Sequence, residues 1–225
     1  MNICIGREFG SGGHEISAYL AEHMDLPLYD EEFIDQALVS SGLSILEIQR
    51  VNEQEENPFL HRVWYDFPDR NLRGLSSHQI TAKQQSEFIL EAAGQGDCIF
   101  VGRCADHILK QAGIPRVSIF VSAPFEDRVC RKVRLLGQDK DTVTSLVRKK
   151  DYQRRKYYNI QTGLSWGIPS SYDLCVNSST LGIPKTAATI LLFLESRMGA
   201  QRTCRMTAEG IAQDVPLDGK GRTGT

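Results

Sequence analysis

Short apolar runs alternate along this chain with longer segments in which apolar residues recur every three or four positions. The first run, Ile3-Cys4-Ile5, is too short for anything but a buried strand. Ile16, Ala18, Tyr19, Leu20, Ala21 and Met24 then recur at helical spacing. Leu26 to Tyr29 reads as a second strand, and Asp30 precedes a helix with apolar positions Phe33, Ile34, Ala37 and Leu38. From Gly42 to Leu75 the pattern weakens. Leu43 to Val51 is compatible with helix, whereas Asn57 to Leu75, with Pro58, Pro68, Gly74 and mixed charges, reads as a loop or mobile insertion. A long helix is expected from about Gln79 to Ala93, stopped by Gly94 and Gly96. Cys98 to Val101 is the clearest buried strand. A short helix, Asp106 to Gln111, ends at Gly113, and Val117 to Val121 is the next strand. Pro124 suits the first turn of a helix that carries Arg128, Arg131, Lys132 and Arg134. Asp139 to Tyr158 reads as a strongly basic helix, Leu174 to Asn177 as the last strand, and Pro184 opens a final helix with Ala187, Ile190, Leu191 and Leu194.

Strands alternating with helices imply an α/β fold with a parallel sheet covered on both faces. In such sheets ligands bind beyond the carboxyl ends of the strands, which singles out the segments after Ile5, Tyr29, Val101 and Val121. A chain of 225 residues has room for one such domain with an insertion. Beyond Gly199 the composition turns to Gly, Thr, Arg and Asp, and 199–225 reads as a poorly ordered tail.

Net charge is −2, so no global field favours nucleic acid or an anionic membrane, and any anion preference must be local. Cys4, Cys98, Cys104, Cys130, Cys175 and Cys204 show no zinc-knuckle spacing, and three of them sit in or beside apolar runs where a thiol behaves as a small hydrophobe. No signal-peptide pattern and no apolar run near the roughly 20 residues of a membrane helix is present. The expected compartment is a reducing cytoplasm. His61, His78 and His107 are isolated, and no metal-ligand set is expected.

Gly6-Arg7-Glu8-Phe9-Gly10-Ser11-Gly12-Gly13-His14-Glu15 joins the first strand to the first helix. Glycines let backbone N–H groups converge on phosphate oxygens, and a helix start adds unpaired donors and a positive dipole end. The simpler reading is a tight strand-to-helix turn. The regular Walker A pattern places Lys and then Ser or Thr after its last glycine. Here Gly13 and His14, or His14 and Glu15, fill those places, so no lysine is supplied. His14 is a partial substitute, Arg7 a nearby permanent cation, and Ser11 or Ser17 must replace the missing magnesium hydroxyl.

These segments resemble the cytidylate kinase-like family, a branch of the P-loop nucleoside monophosphate kinases. The matching stretches are Gly6 to Ile16, Leu28-Tyr29-Asp30, Val101-Gly102-Arg103-Cys104-Ala105-Asp106, and Tyr157-Tyr158 through Thr162-Gly163, Trp166-Gly167 and Tyr172-Asp173-Leu174. The family usually carries Arg where His14 stands. The resemblance implies a three-layer P-loop kinase fold over 1–198, with an acceptor-side insertion at about 42–75 and a lid at about 137–172. It also implies ATP as donor, Mg²⁺, and a small phosphate-bearing acceptor. Cytidylate kinases close an arginine-bearing lid in which aspartate stands three residues before arginine, and Asp151-Tyr152-Gln153-Arg154 looks like it.

The expected reaction is therefore transfer of the ATP γ-phosphoryl group to a nucleoside monophosphate. The alternatives are a non-catalytic nucleotide- or phosphate-binding regulator on a kinase scaffold, and a kinase of another small metabolite. Candidate donor-site residues are Gly10, Ser11, Gly12, Gly13, His14, Glu15 and Arg131. Arg103 is the candidate for the acceptor phosphate because its planar fork gives bidentate contacts. Arg7, His14, Arg154 and Arg155 are candidate cations for the moving charge. Asp30 either orients acceptor or magnesium water or caps a helix, and Asp106 either touches a base or sugar or caps its own helix. Asp151 is a further acceptor-site candidate, while Trp166 and Tyr172 read as lid packing.

Overall fold

The strands form where apolar runs are short and bounded by glycine, proline or charge. β1 (Asn2–Arg7), β2 (Leu28–Tyr29), β3 (Ile99–Val101), β4 (Arg116–Ser122) and β5 (Leu174–Asn177) pair in the order β2-β3-β1-β4-β5, every pair parallel. The computed structural model describes residues 1–40 and 77–213. The helix expected at 43–51, the loop at 57–75 and the insertion at about 42–75 lie outside the described residues. The helices are α1 (Gly13–Met24), α2 (Glu31–Ser40), α3 (Ser77–Gln95), α4 (Ala105–Gln111), α5 (Phe125–Leu136), α6 (Lys140–Thr162), α7 (Ser178–Leu181) and α8 (Ile183–Gln213). Met1–Ala187 forms one compact unit. In the second unit, Ala188–Thr225, the described part is the continuation of α8 to Gln213.

The register sorts side chains between the two faces of the sheet. Ile3, Ile99 and Val117 lie in one row and Ile5, Val101 and Ile119 in the next, all buried. Cys4, Phe100 and Ser118 point the other way. Phe100, fully buried, packs there with Ile34 and Leu38 of α2, Ile80 and Ile89 of α3, and Leu109 of α4. Tyr29 stacks on it at 5.5 Å between centroids. The helical periodicity of α1 turns Ile16 and Leu20 inward, and α1 lies along β1, β3 and β2. A third cluster joins α5 and α6 through Val129, Val143 and Val147, with Phe9 packed against it.

Several boundaries differ from the sequence expectations. β2 begins at Leu28, because the Leu26 N–H donates to the Ala21 carbonyl and closes α1 instead of entering the sheet. α3 runs through Gly94 to Gln95. α8 passes Gly199 and continues to Gln213, where a poorly ordered tail was expected from 199. A single glycine costs a helix only about 1 kcal/mol relative to alanine, which helical neighbours on both sides can offset.

The connection from β1 leads toward β2, whereas that from β3 leads the opposite way, to β4. The carboxyl ends of β1 and β3 therefore border a topological switch point, where α/β sheets open a crevice for ligands. α6 flanks this end. Its cap Asp139 accepts from the Thr142 N–H at 2.9 Å, and Gly163 ends it in the left-handed region.

Candidate active site

The glycine loop leaves β1 at this crevice. Gly10 and Gly12 have φ of 86° and 84°, a region that costs glycine little and other residues more. Gly12 caps α1 with no side-chain hydrogen bond, so no side chain caps the first-turn amides of α1. The loop hydroxyls turn inward. Ser11 Oγ donates to the Glu8 carbonyl at 2.9 Å, and Ser17 Oγ to the Gly13 carbonyl at 2.6 Å. Both hydroxyls thus spend their hydrogen on the backbone and keep their oxygen lone pairs.

A clamp ties the loop to the helix expected as the lid. Asp151 of α6 accepts from the Phe9 N–H at 2.8 Å through Oδ1 and from Arg128 Nη1 at 2.5 Å through Oδ2. The same Arg128 nitrogen donates to the Phe9 carbonyl at 3.0 Å, and Nε donates to the Ala123 carbonyl at 2.9 Å. Both charged side chains are largely buried. Asp151, a candidate acceptor-site residue, is thus bonded to the loop. Arg128 joins two strand ends to α6.

The turn after β3 is conformationally unusual. Gly102, Arg103 and Cys104 have φ of 81°, 53° and 57°, three successive left-handed residues. Such a conformation costs a non-glycine residue about 1–3 kcal/mol and persists where its surroundings impose it. Here it carries a buried guanidinium. Arg103 Nη2 donates to both Asp35 oxygens at 2.8 and 2.9 Å and lies 3.2 Å from Glu31 Oε1, with its guanidinium over Tyr157 at 5.8 Å.

Glu31, the first residue of α2, collects three arginines. Its Oε2 lies 3.0 Å from Arg7 Nη2 and 4.0 Å from Arg154 Nη2, in addition to the Arg103 contact. Burial pushes the Glu31 carboxyl up, but Arg103, Arg7, Arg154 and Lys150 outweigh it and hold the group down at about 2. Burial pushes Arg154 below its ordinary value, and Arg7 pushes it the same way. Burial also lowers Arg7, against the pull of Glu31. Arg103 is raised, because Glu31 and Asp35 outweigh its burial. Three guanidiniums thus converge on the Glu31 carboxylate.

The cluster opens on a cavity of about 280 Å³. Arg7, Arg103, Arg154 and Lys150 line one part of it, and Tyr157, Tyr158, Trp166 and Tyr172 another. Phe120 supports the aromatic wall, edge-on to Trp166 at 5.3 Å and 4.9 Å from Tyr172. Asp106 also faces the cavity and accepts from the Tyr158 hydroxyl at 2.8 Å. It does not cap its own helix, whose cap is Cys104. The cavity can therefore take a small, planar or ring-bearing molecule with a negatively charged end.

The remaining candidates lie around this centre. Asp30 caps α2, accepting from the Phe33 N–H at 2.9 Å, and its Oδ2 is 3.5 Å from His14 Nδ1. His14 is 64% exposed and, with Asp30, lines a second cavity that also reaches Arg7 and Glu31. Arg131 pairs with Glu15 beside Gly12. Arg155 is not part of the cluster. It lies over the Trp166 ring at 6.0 Å and lines a separate cavity with Arg148 and Tyr152. Glu31, Asp35 and Lys150 were not candidates. The recurrence of Lys150, Gln153, Arg154, Tyr157 and Tyr158 at helical spacing was the available signal for the cavity face of α6.

Among the described residues, no group of three or more His, Cys, Asp or Glu side chains is placed to hold a metal ion. A magnesium ion fits here in its usual kinase form, carried by substrate phosphates and water with a carboxylate such as Asp30 nearby. Among the same residues, no helix is long and apolar enough to cross a membrane.

Known proteins place this architecture. An uncharacterized protein from Eubacterium ventriosum is 26% identical in sequence, and the match covers 87% of this chain and 99% of that one with a TM-score of 0.65. Shikimate kinase from Bacteroides thetaiotaomicron matches at 12% identity over 87% of this chain and 98% of its own, TM-score 0.51. A gluconokinase from Sinorhizobium meliloti matches at 12% identity over 89% and 96%, TM-score 0.53. At such identities these two kinases share the fold alone. No curated protein matches the chain in sequence. The sequence profile of the cytidylate kinase-like family matches residues 2–180, and it is to this family, on a P-loop kinase fold, that the chain belongs.

Proposed function

We propose that the protein is a phosphotransferase that moves the γ-phosphoryl group of ATP onto a small anionic acceptor, a nucleoside monophosphate of the cytidylate type. The observation that carries this reading is the convergence of Arg7, Arg103 and Arg154 on one carboxylate at a cavity with aromatic walls, beside the glycine loop. Backbone amides from Gly10 through Glu15 hold the donor phosphates, with Arg131 at their edge. Arg103 holds the anionic end of the acceptor, and Asp106 and the tyrosines contact its ring or sugar. Arg154, from α6, neutralises charge on the transferring group. Asp151 keeps α6 in register with the loop. Catalysis on this reading is positioning and charge neutralisation without a covalent intermediate. ATP brings its magnesium, which screens the phosphate charge. The free thiols of Cys4, Cys98, Cys104, Cys130 and Cys175 agree with a reducing cytoplasm as the place of action.

A second reading rests on Gly13, which stands where a lysine is usual. It makes the chain a nucleotide-binding regulator that no longer transfers phosphate. ADP formation with ATP, Mg²⁺ and a panel of acceptors separates the two. Turnover with CMP or UMP supports the first reading. Turnover only with a phosphate-free hydroxy acid or sugar acid reassigns the acceptor class. ATP binding without turnover on any acceptor supports the second, and absence of nucleotide binding defeats both.

A further inference from the structure

We infer that Arg7 supplies, from the end of β1, the cation that phosphate loops otherwise carry as a lysine on the first turn of the helix. This rests on the phosphotransferase reading and specifies how the loop works without its lysine.

The geometry at Gly13 is the main support. If Gly12 is the last loop glycine, Gly13 occupies the lysine position. A β-carbon built at Gly13 would lie 2.6 Å from Arg7 Cβ and 2.8 Å from Cγ, closer than real side chains approach. The aliphatic stem of Arg7 thus fills the volume into which a side chain at position 13 would start. At the other end of the same side chain, a β-carbon at Gly102 would collide with Arg7 Nη1. Two glycines, one opening α1 and one closing β3, form the walls of a slot, and Arg7 lies in it.

The slot fixes where the charge goes. It directs the guanidinium across the crevice between the ends of β1 and β3, into the cavity wall and onto Glu31 Oε2 at 3.0 Å. Arg7 is 12% exposed and does not wander as a surface arginine does. Glu31, bridging Arg7 and Arg103, takes the position of an anion shared between the two guanidiniums. A bound phosphoryl group offers the same oxygen spacing and more charge, so it displaces the carboxylate from the fork. An arginine in this role presents two parallel donors where lysine presents a point charge.

The competing explanation is that Arg7 only ties β1 to α2. The deciding experiment moves the charge. Arg7→Ala removes the charge and the stem beyond the β-carbon, and Arg7→Gly combined with Gly13→Lys, which also clears the β-carbon that position 13 would meet at 2.6 Å, puts an ammonium back from the usual position. Thermal melts establish that each variant is folded. Arg7→Met, which keeps the stem against Gly13, takes the place of Arg7→Ala if that variant does not fold. The expected result is a loss of turnover of about 100-fold in the single variant, the scale of one removed transition-state donor, and recovery of at least about tenfold in the double variant. ATP affinity should fall in the single variant while affinity for adenosine, which has no phosphate to reach the slot, holds. Wild-type turnover in Arg7→Ala overturns the inference, as does a folded double variant no better than the single in both turnover and ATP affinity. A wild-type protein that binds ATP without turnover defeats the transferase reading but leaves the ATP-against-adenosine comparison to decide Arg7. One that binds no ATP overturns both.

Discussion

Glu31 Oε2 accepts a hydrogen bond from Arg7 Nη2 at 3.0 Å, while the other oxygen of the same carboxylate lies 3.2 Å from Arg103. The chain thereby provides its own anion at the place where the cations are concentrated. Glu31→Gln removes that competitor. Inorganic phosphate and a nucleoside monophosphate should then bind about tenfold more tightly, the effect of one unfavourable contact of about 1.4 kcal/mol. Titration calorimetry on wild type and variant measures this. Equal or weaker binding in the variant would show that Glu31 does not compete with the ligand.

The same carboxylate makes stability depend on acid. Its folded-state value of about 2 lies below its ordinary 4.5, so the unfolded chain binds the proton more readily between these limits. The stabilisation from Glu31 is complete above about pH 4.5 and disappears as pH falls toward 2. Melting temperature should decline more steeply across that window in wild type than in Glu31→Gln. Parallel pH profiles would place the acid sensitivity elsewhere.

Asp151 holds the Phe9 amide and Arg128 together. Asp151→Ala leaves a buried guanidinium without its carboxylate, a change that typically costs about 3–5 kcal/mol. Urea unfolding should show a loss of this order. ATP affinity should fall as well, since the loop loses its contact with α6. A variant with wild-type stability would mean that Glu8, 3.4 Å from Arg128, already compensates the charge.

Gly102→Ala combines a side chain at φ 81° with a collision against Arg7 Nη1. The backbone strain alone is worth about 1–3 kcal/mol. The displaced guanidinium should reduce ATP affinity beyond what an equally destabilising core change produces. Ile89→Val, in the cluster around Phe100, is a suitable control.

Trp166 lines the cavity edge-on to Phe120, so a ligand there should change its fluorescence. The chain has two tryptophans, and Trp64→Phe isolates this one. A signal that saturates with monophosphate and vanishes in Arg103→Ala locates the acceptor in this cavity. No change at saturation places the acceptor elsewhere.

The sheet was readable from the chain because each strand announces itself locally. Ile3-Cys4-Ile5 and Cys98 to Val101 are apolar on both faces, as central parallel strands must be. The glycine loop was readable for the same local reason. The surroundings of Arg103 were not. They depend on a left-handed turn that extends past Gly102 through Arg103 and Cys104, and on Asp35, 68 residues earlier in the chain. The difference between Arg154 and Arg155 was equally hidden, because one residue of helix turns a side chain by about 100° and the phase is set by packing. Glu31 could be read only as an acidic residue opening a helix until three distant arginines surrounded it.

One helix touches every part of this arrangement. Along α6, Asp151 meets the glycine loop, Arg154 the guanidinium cluster, and Tyr157 and Tyr158 the cavity wall. These contacts fall within eight residues of a rigid rod, a rise of about 10 Å. A slide or rotation of that rod is felt at both ends at once. A ligand at the loop that shifts this rod would alter affinity at the cavity, and a ligand in the cavity would alter affinity at the loop by an equal factor.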